Sequence, residues 1–504
     1  MIPWGPWHPD SAGINTSVVT EARNVLPAEN GFAPLPSAAA STAPLPATCR
    51  GAVSVLLDDG TSQTFAGTQN RLYKLGPTGS WDDISEMENV VDDANNPITD
   101  DAAANIQTPG GTYAVGSGEQ WKFALYGTLL IATTVTDGPQ KFDIASASNF
   151  EPLGGSPPAA RYIDIVREFV FLGAISGNEK RVQWSAIGDA EGWTAGTNES
   201  DYQDLVNGGP VRGIVGGETV YIFQAAKVTR GTYVPGSAVI FQFDEVEGAA
   251  GLSAPHSLVR LRSEAFYLAP DGFRRFGLWS ASSTSIGAKK WAKWFLADKK
   301  PGFDLRVIGA SNPVRPIIVW AYVSASNIGS TPDRLLIYDW SLDEATFADL
   351  TVEALVQWLS PGYTLDTMNA FGGVDALPFS FDSPFWRGGS QLMGLFQSNN
   401  RLSLLSGAAM AATITTADAQ RPDRMMIKGL SPQIDTNAAT VALAMRERDA
   451  DAVTFGAAEA MEDTGICPAH KSGRIARAKV LVPAGATWTA AKGIITQATR
   501  QGRR

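Results

Sequence analysis

The sequence predicts an all-β chain: a degenerate β-propeller with an N-terminal extended arm and a small β-rich C-terminal domain. Three observations carry that reading. Short apolar, β-branched runs recur between Gly, Asp, Asn and Pro. The 504 residues include 50 Gly, 30 Pro, 22 Phe and 14 Trp, which suits short strands and tight turns better than helical bundles. Hairpins of similar grammar then follow one another at spacings of roughly 40 to 70 residues, the scale of propeller blades with insertions. A pair of β-sandwiches is the alternative architecture.

Residues 1–48 read as an extended Pro-rich arm. Proline fixes φ and removes amide donors, so the arm is expected to lie outside any sheet or helix. Trp4 and Trp7 precede the proline repeats and are candidate subunit contacts, the alternative being an arm that wraps its own domain. The arm looks core-poor, so removing residues 1–30 is expected to weaken assembly and leave the propeller folded.

The propeller is expected over residues 49–400. Strand-length runs include FAGTQNRLYKL, ALYGTLLIATTV, EFVFLGAI, TVYIFQ, AFYLA, PIIVWAYV and RLLIYDW. Turn chemistry separates them, as in Asp137-Gly138-Pro139 and Pro270-Asp271-Gly272. Tyr73, Leu130, Val170, Tyr221, Phe266 and Leu336 are taken as equivalent points of successive blades. Residues 82–110 are acidic and poor in large apolar side chains, and read as an exposed inter-blade loop. Residues 288–300 place Trp291, Trp294 and Phe295 at helical spacing. That is a helix docked on the rim or a partner-binding face. Residues 401–504 form the C-terminal β domain, with antiparallel strands expected at 440–446 and 475–482. Arg500, Arg503 and Arg504 are candidate partner contacts, for an acidic neighbour or a phosphate backbone, the alternative being a solvated tail.

The chain offers little chemistry. Its three histidines, His8, His256 and His470, lie far apart, and no Gly-x-Ser-x-Gly occurs. The run 212–223 lacks the Lys-Ser/Thr of a phosphate loop. Cys467 and His470 are three apart but have no second pair, so no metal or cofactor is expected. Cys49 and Cys467 are expected to be free, partly buried thiols. Asp82/Asp83, Asp92/Asp93 and Asp100/Asp101 read as a solvated acidic loop rather than a catalytic or calcium site. No signal peptide or membrane anchor is expected. The net charge of −11 disfavours sequence-specific nucleic-acid binding. No enzymatic activity is expected.

One stretch resembles a known family. It contains Trp193-Thr194, Asn198-x-x-Asp201-Tyr202-Gln203, Gly213-Ile214-Val215-Gly216-Gly217-Glu218 and Thr229-Arg230-Gly231-Thr232-Tyr233. It continues with Phe241-Gln242-Phe243-Asp244, Asp271-Gly272-Phe273, and Ile286-Gly287 leading into Trp294-Phe295. Asn24-Val25-Leu26-Pro27 followed by Gly31-Phe32 and Pro34 is similar to the family's start, and 483–488 fits more loosely. In order, these pieces resemble the tail-hub or tail-nozzle proteins of bacteriophages, known in short-tailed phages as packaged-DNA stabilisation proteins. The resemblance covers residues 180–300 well and the remainder in character; the acidic insertion and the C-terminal domain depart from it.

The resemblance implies a β-propeller that assembles as a homohexamer in the virion tail after synthesis in the host cytoplasm. It implies a structural protein continuing the DNA channel below portal and adaptor, with roles in genome retention and DNA ejection. The implied partners are further copies of itself, a head-to-tail adaptor, and a tail needle, plug, fibres or spikes. Genomic DNA would pass without sequence-specific binding. A carbohydrate-active or receptor-binding propeller of the tail is the alternative.

Overall fold

In the computed structural model the described residues are 2–11, 13–57, 62–110, 113–237, 239–312, 314–360 and 391–501. They form a β-propeller. Six blades stand as separate four-stranded antiparallel sheets. A seventh set of four strands fills the remaining blade position and continues outward into a larger sheet.

Blade 1 comprises Ala52–Leu56, Ser62–Gly67, Leu72–Leu75 and Trp81–Asp83. Blades 2, 3, 4 and 5 begin with Lys122–Tyr126, Ala160–Val166, Val211–Val215 and Val259–Leu261, and each runs on through three consecutive strands. Blade 6 is Ile308–Asn312, Ile317–Tyr322, Arg334–Asp339 and Glu344–Asp349. Blade 7 takes Ala354–Leu359, Gln391–Phe396 and Leu402–Ala409, and its fourth strand is Pro36–Ala40.

Blades stack because neither face of a four-stranded sheet is wet. In the second strand of blade 3, Phe169 and Phe171 pack toward blade 4 while Val170 and Leu172 pack toward blade 2. In blade 6, Ile318, Trp320 and Tyr322 pack toward blade 5, and Ile317, Val319 and Ala321 toward blade 7. Alternation along a strand therefore separates two cores, not core from solvent. This is why the sequence shows continuous apolar runs. Seven apolar clusters result, one between each neighbouring pair of blades, including blade 7 against blade 1. The ring is closed.

The N-terminal segment is not an arm lying outside the sheets. Val19–Arg23 pairs with Ala412–Thr416 and touches blade 6 in parallel at Arg23 and Phe347. Val25–Ala28 and Gly31–Pro34 form a hairpin at the end of the large sheet. Pro36–Ala40 is the outer strand that completes blade 7. The prolines fit because they fall on edge strands or at strand ends, where a missing N–H breaks no ladder. Asn24 makes the corner between two of these strands at φ +58. Its side chain donates to Ala411 O (2.8 Å) and accepts from the Asp349 N–H (2.9 Å). That ties blade 6 to the C-terminal sheet.

The C-terminal unit begins after blade 7, since Leu402–Ala409 belongs to that blade. Its strands are Ala412–Thr416, Ala419–Ile434, Thr440–Arg446, Cys467–Val482 and Ala491–Arg500, with the short Ala458–Ala460. Thr440–Arg446 pairs antiparallel with the 475–481 stretch of its neighbour, as the alternation predicts. The one α-helix among the described residues, Ala292–Asp298, docks on the rim. Asp10 caps it by accepting the N–H groups of Lys293 and Trp294, both at 2.8 Å.

Candidate functional site at the axial mouth

Each blade begins on its innermost strand, and the first strands of successive blades face one another around the axis. At least one charged or titratable residue stands within three positions of the start of each first strand. Among them, one from each blade in order, are Arg50, Lys122, Arg161, Arg212, His256, Arg306 and Glu353. The sequence carries a signal for them that composition alone hides. In five blades an Arg or Lys directly precedes the apolar run: RGAV, KFAL, RYID, RGIV and RVIG.

Most of these groups tie one blade to the next. Arg50 donates to Val115 O and to Gly116 O (2.6 Å) on the approach to blade 2. Arg212 donates to Leu252 O (3.1 Å) and Ser253 O (2.8 Å) on the approach to blade 5. Arg161 pairs with Glu119 (3.0 Å) and Glu179 (2.9 Å). Arg306 pairs with Glu353 at 2.8 Å, linking blades 6 and 7. The buried His256 of blade 5 meets Gly118 O at 3.0 Å through Nε2. Gly118 lies in the loop before blade 2, so this contact reaches past blades 3 and 4.

The electrostatics follow from the crowding. Burial, helped by nearby Lys122, Arg161 and Arg306, holds the His256 imidazole well below its ordinary pKa, so it is neutral at pH 7. Burial likewise pushes the Lys122 ammonium down to about 8. Burial and the neighbouring Arg306 lower Arg50. A cleft beside this mouth has a volume of about 380 Å³ and is bordered by Arg161, Arg212, Glu119, Glu179 and Asp304. Arg50, Arg161, Arg212 and Arg306 are bonded to carbonyls and carboxylates on adjoining blades or the loops leading to them, which ties the blades together at the axis.

The residues singled out in the sequence fall elsewhere. Trp4, Trp7, Trp291 and Phe295 are buried within the chain, and Trp294 is packed against the same core. Trp7 stands edge-on to Trp294 with ring centroids 4.7 Å apart. Trp4, Trp7, Trp291 and Phe295 are therefore internal and Trp294 is half-buried: the aromatic stripe of the helix faces the N-terminal segment and blades 5 and 6. Arg500 is exposed, 3.8 Å from Asp423, and Arg503 and Arg504 lie outside the described residues. Cys49 and Cys467 are free and buried, and burial raises their thiols to about 12 and about 11. His470 is exposed. Among the described residues no group of three or more His, Cys, Asp or Glu could hold a metal ion. No helix among them is long and apolar enough to cross a membrane.

No family description and no curated protein matches the chain. Solved structures similar to it include the computationally designed Ika8 protein, at 9% identity and a TM-score of 0.37, covering 73% of this chain and 99% of that one. The extracellular domain of BT4673 from B. thetaiotaomicron gives 10% identity and 0.39, covering 80% and 44%. A chain of the mitotic checkpoint complex gives 11% and 0.36, covering 72% and 96%. At that level the likeness carries no functional argument.

Proposed function

We propose that the chain is a virion structural protein, a hub or nozzle of a bacteriophage tail that works as a ring of six copies. One observation carries the reading. The family-like pieces between Trp193 and Phe295 fall in order along one arc, from the turn after the strand Asn178–Trp184 of blade 3 to the rim helix. Within that arc they lie in strands, turns and inter-blade contacts of blades 3 to 5. Gly213–Glu218 spans the first strand and turn of blade 4, and the Gly216 N–H donates to Asp164 of blade 3 at 2.7 Å. Thr229–Tyr233 lies in that blade's third strand, and Asp271-Gly272-Phe273 makes the turn into the third strand of blade 5.

The physical chemistry is compatible with this work. Blades closed on all sides and tied at the axis form a stiff unit, suited to resisting pressure. Six copies would carry a net charge of about −66, and an acidic wall lets DNA pass without adhering. The basic mouth of each propeller is a separate feature, bonded to its own loops.

Gold-labelled antibody against the chain tests the assignment on intact virions by negative-stain imaging. Label at the tail, below the portal, is the expected result. Absence of label from virions, or cleavage of a capsular polysaccharide by a monodisperse monomer, would overturn it in favour of a carbohydrate-active propeller.

A further inference from the structure

Blade 1 carries a built knob. Met87–Asn89 and Gln107–Pro109 pair antiparallel, and between them the chain repeats itself every eight residues. Val90-Val91-Asp92-Asp93-Ala94-Asn95-Asn96-Pro97 is followed by Ile98-Thr99-Asp100-Asp101-Ala102-Ala103-Ala104-Asn105, then Ile106. Asp92 accepts the N–H groups of Ala94 (2.9 Å) and Asn96 (2.8 Å), and Asp100 those of Ala102 and Ala104, both at 2.9 Å. Val90, Ile98 and Ile106 close a backbone cycle. Val90 N–H donates to Ile106 O (2.8 Å), Ile106 N–H to Ile98 O (2.8 Å), and Ile98 N–H to Val90 O (2.7 Å). The result is a three-cornered projection, exposed between blades as the composition predicts and tied internally by backbone hydrogen bonds.

The knob is unspent inside the chain. Residues 91–108 are all exposed, including Val91 at 44%, Ile98 at 39% and Ile106 at 43%. Among the described residues no ion pair reaches Asp92, Asp93, Asp100 or Asp101. An ordered projection with three large aliphatic side chains in water is an unfinished contact.

The C-terminal sheet offers the opposite surface. Its concave face holds a cavity of about 280 Å³ with Met425, Met445, Ala476 and Ala498 among its apolar lining. Arg421 and Arg500, both exposed, stand on the same lining, together with Arg474 and Asp423. Arg500 lies 3.8 Å from Asp423, and Arg421 has no ion pair among the described residues. An apolar hollow with a cationic border is thus set on a chain of net charge −11.

We propose that the two surfaces are halves of one interface: the acidic, aliphatic knob of one copy seats in the Arg-bordered groove of the next. The occupant is a second copy because charge and apolarity match on both sides. The knob leaves blade 1, while the groove belongs to the sheet that extends from blade 6. The contact is therefore heterologous, and heterologous contacts make a ring where the rotation between copies closes and a filament where it does not. This inference rests on the hub reading and names its joint.

Sedimentation velocity on the full chain tests it. One variant replaces residues 90–106 by Asn-Gly, a two-residue turn that the opposed Asn89 and Gln107 accept. A second carries Arg421→Glu and Arg500→Glu, both exposed, with thermal melts checking that the fold is kept. A third adds Asp93→Lys and Asp101→Lys to the second, restoring opposite charge. The wild type should sediment as a ring, the first two variants should need at least about tenfold more protein to assemble, and the third should recover. A wild-type ring left unchanged by the first two variants, or no recovery in the third, overturns the joint while leaving the hub reading standing. A wild type that stays monomeric overturns both.

Discussion

Trp7 separates a core residue from a partner contact, and the structure sets the size of the difference. The side chain is fully buried. Its ring lies 4.7 Å from Trp294 and 5.3 Å from Phe347, and its Nε1 donates to Thr20 O at 3.2 Å. Truncation of a buried Trp to Ala costs about 3–5 kcal/mol, from lost transfer free energy and the cavity left behind. The hydrogen bond accounts for about 1 kcal/mol of that. Trp7→Phe keeps most of the apolar area and should cost about 1–2 kcal/mol. The assay is urea unfolding of the isolated chain, followed by near-ultraviolet circular dichroism, with hydrogen exchange on Val19–Arg23 and Ala412–Thr416. The Ala variant should lower stability by the stated amount and lose protection in both strands. A loss below about 1 kcal/mol with assembly abolished would refute the reasoning and return Trp7 to an interface.

Other perturbations follow from the same contacts. Removing residues 1–30 should destabilise the C-terminal unit, seen as an early melting transition, because it takes away Trp4, Trp7 and a paired strand. Asn24→Ala should cost about 2–4 kcal/mol in urea unfolding, from two side-chain hydrogen bonds and a φ of +58 that Ala resists. Asn24→Gly should cost less, since Gly accepts that φ. Gly155→Ala should prevent soluble expression or lower the melting temperature sharply. Gly155 has φ +75, and an added Cβ would stand 1.7 Å from Glu191 O. His256 is held neutral, so the unfolded chain binds a proton below about pH 6.5 that the folded chain refuses. Stability should therefore fall as pH drops from 7 to 5, by at most about 2 kcal/mol from this group. His256→Gln should flatten that acid limb in unfolding curves taken across the range.

Local periodicity made the propeller legible. Hairpins such as Glu264–Ala269 with Gly272–Gly277 have their turn residues and register written in adjacent positions. The blade spacing was harder to read because equivalence depends on partners. Leu130, Val170, Tyr221 and Phe266 lie on second strands, whereas Tyr73 and Leu336 lie on third strands. The apparent irregularity of the repeat comes partly from that shift. The N-terminal strands were illegible for a different reason. Pro36–Ala40 has a partner more than 360 residues away, and a strand made by a distant edge leaves no local pattern. The aromatic stripe at Trp291, Trp294 and Phe295 was visible as a stripe, but not what covers it. The axial ring was hidden because its members meet only once seven blades close. The knob was masked by composition, since acidic residues that cap tight turns resemble acidic residues in a loose loop.

Native mass spectrometry of the purified full chain tests the hub reading most directly. The proposed hub predicts a dominant species of six copies, six times the 53.5 kDa of one chain. A single peak at the mass of one chain, unchanged as protein concentration rises a hundredfold to about 100 μM, would contradict it.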